Sequence, residues 1–563
     1  MATQQFDAIV CGSGMTGGWA AKELTERGLK VLVVERGPHL EHRTGYKTEF
    51  TPPWELEYRG YVDPELLKNG KRIQNVGRGF NAWIQDLFVD DDVDVYESPP
   101  ESGFQWVRSY QLGGRSLVWG RHAYRMSQIH YSANAQDGHG VAWPVGYADI
   151  APWYDHVERF IGVNGTVDNL ATLPDGQYQP SMGLNAGEQR IADLLKANYP
   201  NRRLLPGRTA NLTQPIGDRA PCQYRNQCAR GCSFGAYFSS LSSTLPAAKS
   251  TGNLTVLTDS LVDSLEFDAG TRRVTGVRLI DMQTRGRSVA TARVVLLCTG
   301  SFNSVALLQR SASDAAPGGL GNSSGLLGKY ITDHAQGAGA SASIAGIDDK
   351  MYLGRKPHGL TIPRFVNLED KEPTDFIRGY SYQGACARRG WDRGGSMAGV
   401  GAEFKHGLRH PGEWVINLNS SIECIPRKEN HVSVDFNKRD RYGLPITRID
   451  LRWGENEQRA AVHAQKEAEA MLSLAGGRIL TRSSRMNPPG AAIHEMGGAC
   501  MGNDPRQSVT NSWNQLHDAP NVFVTDGAFM NSAGDRNPSL TYMAFTVRAV
   551  AHAVDLLKEG TLA

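Results

Sequence analysis

Two residue patterns in this chain have the types and spacing to do chemistry. The first is Gly12, Gly14 and Gly17, a G-x-G-x-x-G turn between the apolar run at residues 6–11 and the helically spaced stretch 19–27. In such a turn the first glycine makes the bend, the second lets backbone touch a pyrophosphate, and the third lets helix pack on strand. The helix N-terminus offers its unpaired N–H groups to the phosphates. A second β-branched run, residues 30–34, ends at Glu35, where a carboxylate can accept hydrogen bonds from an adenosine ribose. Strand, turn, helix, strand and acid in that order point to a dinucleotide, with NAD and FAD both open. The second pattern is Cys222, Cys228 and Cys232 in PCQYRNQCARGCSF, a C-x5-C-x3-C arrangement with no histidine inside it. Closely spaced thiolates suit an iron-sulfur cluster, whereas zinc would want a fourth cysteine or histidine. Three ligands fit [3Fe-4S]. A [4Fe-4S] centre would need a fourth ligand from outside the segment, and the other cysteines, Cys11, Cys298, Cys386, Cys424 and Cys500, all sit in other elements.

The elements that hold these residues belong to a large globular chain. It has 563 residues, 40% hydrophobic and 21% charged, enough for two or three domains. Lysine plus arginine total 60 against 58 acidic residues, a formal charge of +2, which argues against nucleic acid as a partner. Glycine is the outlier at 62 residues, well above the usual proportion of roughly 7%, as expected of an enzyme whose backbone wraps a cofactor. No apolar stretch has the length and freedom from charge that a membrane span requires, and residues 1–5 precede the first strand without the features of an export signal.

Three further glycine-containing turns decide between the dinucleotides. They are QLGGRSLVW (111–119), RVVLLCTGSF (293–302) and NVFVTDG (521–527). With the N-terminal motif, and with GNSSGLLGKYITDH (321–334) and ECIPRKENHVSV (423–434), they resemble the glucose-methanol-choline (GMC) family of FAD oxidoreductases. The resemblance implies that Gly113, Gly114 and Ser116 lie against the isoalloxazine. It likewise implies that Thr299 and Gly300 back the dinucleotide, that Asp526 and Gly527 meet the ribityl-phosphate, and that the Val262 backbone meets the adenine. Members similar to pyranose oxidases bind flavin covalently through a histidine one position before a tryptophan. Here Val118 holds that position before Trp119, so the FAD is expected to be non-covalent.

The same resemblance selects the reacting residues. Among 15 histidines, His494 in IHEMGGACMG matches the family's proton acceptor, and Asn537 in DRNPSLT matches the residue that orients the substrate oxygen. Oxidising an alcohol sends a hydride to the flavin and the hydroxyl proton to a base, and a neutral histidine suits the second task. A hydrolytic triad built on Asp526 and His494 is disfavoured, since no serine nucleophile motif accompanies them.

The expected fold class is α/β, a Rossmann-like FAD domain with an inserted α+β substrate domain whose antiparallel sheet is backed by helices. The FAD domain is expected to be discontinuous, over 1–130, 240–334 and 481–563, with a cysteine-bearing insertion at 131–239 and the substrate domain at 335–480. The cysteine cluster resembles that of bacterial sugar dehydrogenase large subunits of this family. That subgroup implies oxidation of a secondary ring hydroxyl, at C3 of a glucoside, with electrons leaving through the cluster. It also implies a small signal-bearing subunit, a cytochrome-type acceptor and a periplasmic location, with a cytoplasmic enzyme as the other outcome. Two alternatives stand beside it: an oxygen-using sugar or sterol oxidase whose cysteines are structural, and a redox-silent flavoprotein or interaction subunit.

Overall fold

Runs of consecutive apolar residues, with no polar alternation, form strands that are covered on both faces. In the computed structural model, which describes residues 5–77, 79–347, 359–368, 374–474 and 476–562, those runs become the middle of a parallel sheet. The leader-free reading of the N-terminus falls mostly on residues 1–4, outside the described residues. In chain order the elements that position the site are β1 (Gln5–Cys11), α1 (Met15–Glu26), β2 (Val31–Val34), α2 (Gln128–Asp137), α3 (Tyr147–Ile161) and α4 (Ala186–Asn198). There follow β3 (Leu254–Leu257), β4 (Ser260–Asp268), β5 (Arg273–Asp281), β6 (Arg287–Leu297) and α5 (Ser301–Arg310). Next come β7 (Ala335–Ile344), β8 (Leu360–Ile362), β9 (Tyr380–Arg388), β10 (Trp414–Ile422), β11 (His431–Arg439) and β12 (Pro445–Asp450). The chain closes with α6 (Glu455–Leu474), β13 (Arg478–Ser483), β14 (Val522–Val524) and α7 (Ser539–Lys558).

The first sheet has seven strands in the order β3-β2-β1-β6-β5-β4, with β14 also paired to β6. Strands β3, β2, β1, β6 and β14 run parallel, and β4 and β5 turn back antiparallel. Strands from both ends of the chain therefore meet on β6, which pairs Val10 with Leu296 on one side and Phe523 with Leu296 on the other. Helix α7 is apolar enough by length and composition to cross a membrane, yet 72% of its most apolar 18-residue window is buried, and the helix packs against α1 and α3.

The second sheet has six strands in the order β13-β7-β10-β9-β8, completed at its edge by Leu205 and Pro206. All its pairings are antiparallel. Helix α6 presents Ala460, Ala461, Ala464 and Ala468 to it, small residues that let the helix lie close to the strands, and α4 packs beside it. The hairpin β11–β12 packs elsewhere, with Val432 and Ile449 in the core of the first layer, so residues 335–480 contribute to two layers.

Candidate active site

The turn between β1 and α1 shows why glycine is needed there. Gly12 has φ +97°, and a Cβ on it would stand 2.5 Å from the Cys298 carbonyl oxygen; one on Gly17 would stand 1.9 Å from the Gly12 oxygen. Gly14 has nothing within 4 Å of its missing Cβ, leaving backbone open to a cavity of about 480 Å³. Glu35 lines the same cavity, its carboxylate accepting from Ser13 N (3.1 Å), Ser13 Oγ (2.5 Å) and Gly37 N (2.9 Å). Burial pushes its pKa up, while those three donors pull against it. Ser13 Oγ also accepts from Gly113 N at 2.9 Å, so one serine ties the first turn to the acid and to the double-glycine turn. Sequence reasoning missed Ser13 because it is a variable position of the motif.

The other expected cofactor residues gather on this cavity. Gly114 and Ser116 form its wall, and Ser116 Oγ donates to the Gly113 carbonyl at 2.6 Å. Gly17 and Gly113 stand behind the wall. Thr299, Gly300, Asp526 and Gly527 line it together. Asp526 accepts from Gly300 N (3.0 Å) and Ala528 N (3.1 Å), joining the turn after β6 to the turn after β14, and burial pushes its pKa up to about 6. Val262 on β4 closes the end near Glu35, and Val118 lies on the wall beside Trp119. A cavity with exposed glycine backbone, a buried acid and helix N-termini on its wall fits a dinucleotide.

His494 and Asn537 stand on the wall of the same cavity. Asn537 Nδ2 lies 3.3 Å from His494 Nε2, both residues on the cavity wall. Gln383 on β9 donates to Asn537 Oδ1, which turns the Asn537 amide so that its NH2 group faces the histidine. Behind the pair, His494 Nδ1 is 3.1 Å from His334 Nδ1. Asp333 accepts from His334 N (2.8 Å), Gly490 N (2.8 Å) and His494 N (3.2 Å). That clamp brackets Ile493, a β-branched residue held at φ +62°, where such side chains are strained. Burial and the Glu495 charge push Asp333 up to about 7, and burial pushes His334 down to about 4. Gln383 carried no sequence signal: only the register of the second sheet brings it here. Asp333 and His334 lay inside a segment quoted for its resemblance, with no role attached to them.

Cys222, Cys228 and Cys232 lie outside this cavity and surround a small one of their own, with Asn211 and Tyr237 on its wall. Tyr224 and Asn226 are left-handed at φ +54° and +56°, curling the loop so that Tyr224 N reaches Cys222 Sγ at 3.4 Å. Asn211 is 1% exposed, and its Oδ1 has no hydrogen-bond partner among the described residues. Burial raises the Cys222 and Cys232 thiols, with Arg225 pulling the other way. Arg230 instead stacks over Trp83, 3.7 Å from the ring centroid. The loop meets the segment that follows the double-glycine turn: Tyr237 Oη donates to the Leu117 carbonyl at 2.8 Å, and Ala229 reaches the wall of the large cavity.

Family profiles described as GMC oxidoreductase match residues 6–336 and 426–546. The chain is 23% identical to the fructose dehydrogenase large subunit of Gluconobacter japonicus, over 99% of each chain. It is 26% identical to 2-methyl-1,2-propanediol dehydrogenase of Mycolicibacterium austroafricanum, over 97% of this chain and 94% of that one. Its fold is similar to that of pyridoxine 4-oxidase from Mesorbium loti, with a TM-score of 0.61 and 17% identity over 98% and 99% of the two chains. With one profile alone spanning more than half of its length, and with glycine turns, acid and histidine-asparagine pair converging on one cavity, the chain belongs to the GMC oxidoreductase family, flavin-dependent enzymes acting on CH–OH groups.

Proposed function

We propose that this protein is an FAD-dependent dehydrogenase that oxidises a secondary ring hydroxyl of a sugar or glycoside, at C3. Its electrons would leave through a [3Fe-4S] or [4Fe-4S] cluster on Cys222, Cys228 and Cys232 to a cytochrome-type protein. The observation that carries the reading is the 3.3 Å approach of Asn537 Nδ2 to His494 Nε2 on a cavity that the dinucleotide turns also line. When bound, non-covalent FAD supplies the hydride acceptor. Gly12, Gly14 and the N-terminus of α1 would hold its phosphates, Glu35 its ribose, and the double-glycine turn its ring system. Asn537 donates to the substrate oxygen and His494 Nε2 takes the hydroxyl proton.

The electron route is supported by the loop that meets the segment after the double-glycine turn, by the N–H directed at Cys222 Sγ, and by the likeness to a fructose dehydrogenase large subunit. The C3 position rests on resemblance to sugar dehydrogenases of the family. On this reading a small signal-bearing subunit would carry the chain to the periplasm. Turnover of a methyl glucoside with a dye acceptor should give the 3-keto product, and a 2-keto or lactone product would overturn the regiochemistry. Iron and acid-labile sulfide in anaerobically purified protein test the cluster. Peroxide production without iron would favour an oxidase.

A further inference from the structure

Asn537 Nδ2 donates toward His494 Nε2, so in the neutral ring the lone pair lies at Nε2 and the proton at Nδ1. That proton points at His334 Nδ1, 3.1 Å away, which must accept it. Neutral His334 therefore carries its own proton on Nε2. The two rings meet edge to face, with centroids 4.9 Å apart. His334 Nε2 is buried within reach of the Ala533 and Gly534 carbonyls, but among the described residues no acceptor stands at full hydrogen-bond geometry to it. On the same segment Asp535 is fully buried: its Oδ1 is 2.7 Å from His130 Nε2 on α2, and its Oδ2 has no partner among the described residues. Gly534 lies between these groups, so close that a Cβ on it would be 3.2 Å from His130 Cδ2. A buried donor and a buried acceptor thus flank one short stretch of backbone, each with an unmet hydrogen bond.

We propose that one internal water joins His334 Nε2–H to Asp535 Oδ2, which makes Asp535, through His334, the counter-ion of His494. Such a water needs two to four polar partners, and Asp535 Oδ2, His334 Nε2 and the Ala533 and Gly534 carbonyls supply them. When the substrate O–H bond breaks and its proton bonds to His494 Nε2, the ring becomes an imidazolium. Its Nδ1 proton is then shared with His334, and the positive charge is met by the Asp535 carboxylate across the water. No other proton moves, and the electron pair of the C–H bond leaves with the hydride. Arg536 and the His130 hydrogen bond keep Asp535 ionised, its pKa held well below the usual carboxylate range. The other groups facing the arm are Asp333, Glu495 with its partner Arg115, and Arg364. His334 and Asp535 are positioning residues, and the inference rests on His494 being the base.

The test is Asp535→Asn in the FAD-loaded enzyme, read as anaerobic flavin reduction by substrate across pH. Loss of the counter-ion should slow reduction on the order of 10- to 100-fold and move the acid limb of the profile to lower pH by about one unit or more. A merely structural role would leave that limb in place. Asp535→Glu should restore part of the rate. Wild-type rate with an unmoved limb in Asp535→Asn overturns the proposal. If that variant does not fold, a high-resolution crystal structure of the wild-type holoenzyme decides: density within hydrogen-bond distance of both atoms supports the arm, and none there overturns it. His494→Ala run beside it separates the two readings. Wild-type reduction in that variant sinks the base assignment, whereas its loss with Asp535→Asn unchanged sinks only the counter-ion.

Discussion

On the proposed reading His494 and Asn537 flank the substrate hydroxyl, and their substitution tests it. His494→Ala is expected to keep FAD and lose on the order of 10²- to 10⁴-fold in turnover, with Asn537→Ala losing less; stopped-flow flavin reduction measures both. His334 gives a second signature at this scale. Its pKa is pushed down to about 4 in the fold from a usual value near 6.5. As pH falls, the unfolded chain takes up that proton first, so the stability present above pH 6.5 is lost between there and pH 4, about 3 kcal/mol in all. Wild type should therefore lose more Tm than His334→Gln between pH 7 and 4.5. Asp333, raised to about 7, has the opposite slope, but it is present in both proteins and cancels in the difference. The pair itself was legible because each residue sits in a local motif. Gln383, Ser13 and the clamp by Asp333 were not, since their meaning lies in contacts made by strand register and backbone direction, which no local window carries.

Among the elements, β1, α1 and β2 follow closely from their apolar runs and glycine spacing, the boundaries moving by a few residues: the helix begins at Met15, four residues before its apolar periodicity. Helix α6 is one of the helices expected to back the substrate sheet, and its alanine stripe lies against that sheet. The edge pair Leu205 and Pro206 was illegible, because two residues carry no period. The cysteine loop is an element whose geometry makes a separable prediction. It lies off the large cavity, meets the segment after the double-glycine turn through Tyr237 and reaches the cavity wall at Ala229. Cys228→Ser should deplete iron while FAD content and flavin reduction stay near wild type. The ratio of cytochrome to dye activity should then fall, and an unchanged ratio in an iron-depleted enzyme would remove the loop from the electron path.

For the whole molecule, the two-sheet architecture was legible from the family resemblance, which implies an antiparallel sheet in the substrate domain, while the placing of the β11–β12 hairpin in the first layer was not. Its alternating residues fit either sheet, and long-range packing with α5 decides. The ion pair of half-buried Arg115 with buried Glu495, at 2.6 Å, shows how far apart in sequence the site's parts are. The meeting of β1 and β14 on β6 has a consequence for biosynthesis. At 5 to 20 residues per second a ribosome needs roughly 25 to 100 s to go from the first of these strands to the last. Throughout that time the strand that carries the first glycine turn has only part of its apolar cover, since Ala549, Val550 and Ala553, which pack with Ala8 and Val10, are not yet made, and the cavity lacks the wall that Asp526 and Gly527 supply. The nascent chain is then expected to depend on chaperone cover and to take up FAD only after release. Ribosome-stalled chains ending before residue 521 should retain no flavin on pelleting, while the released full-length chain should acquire it.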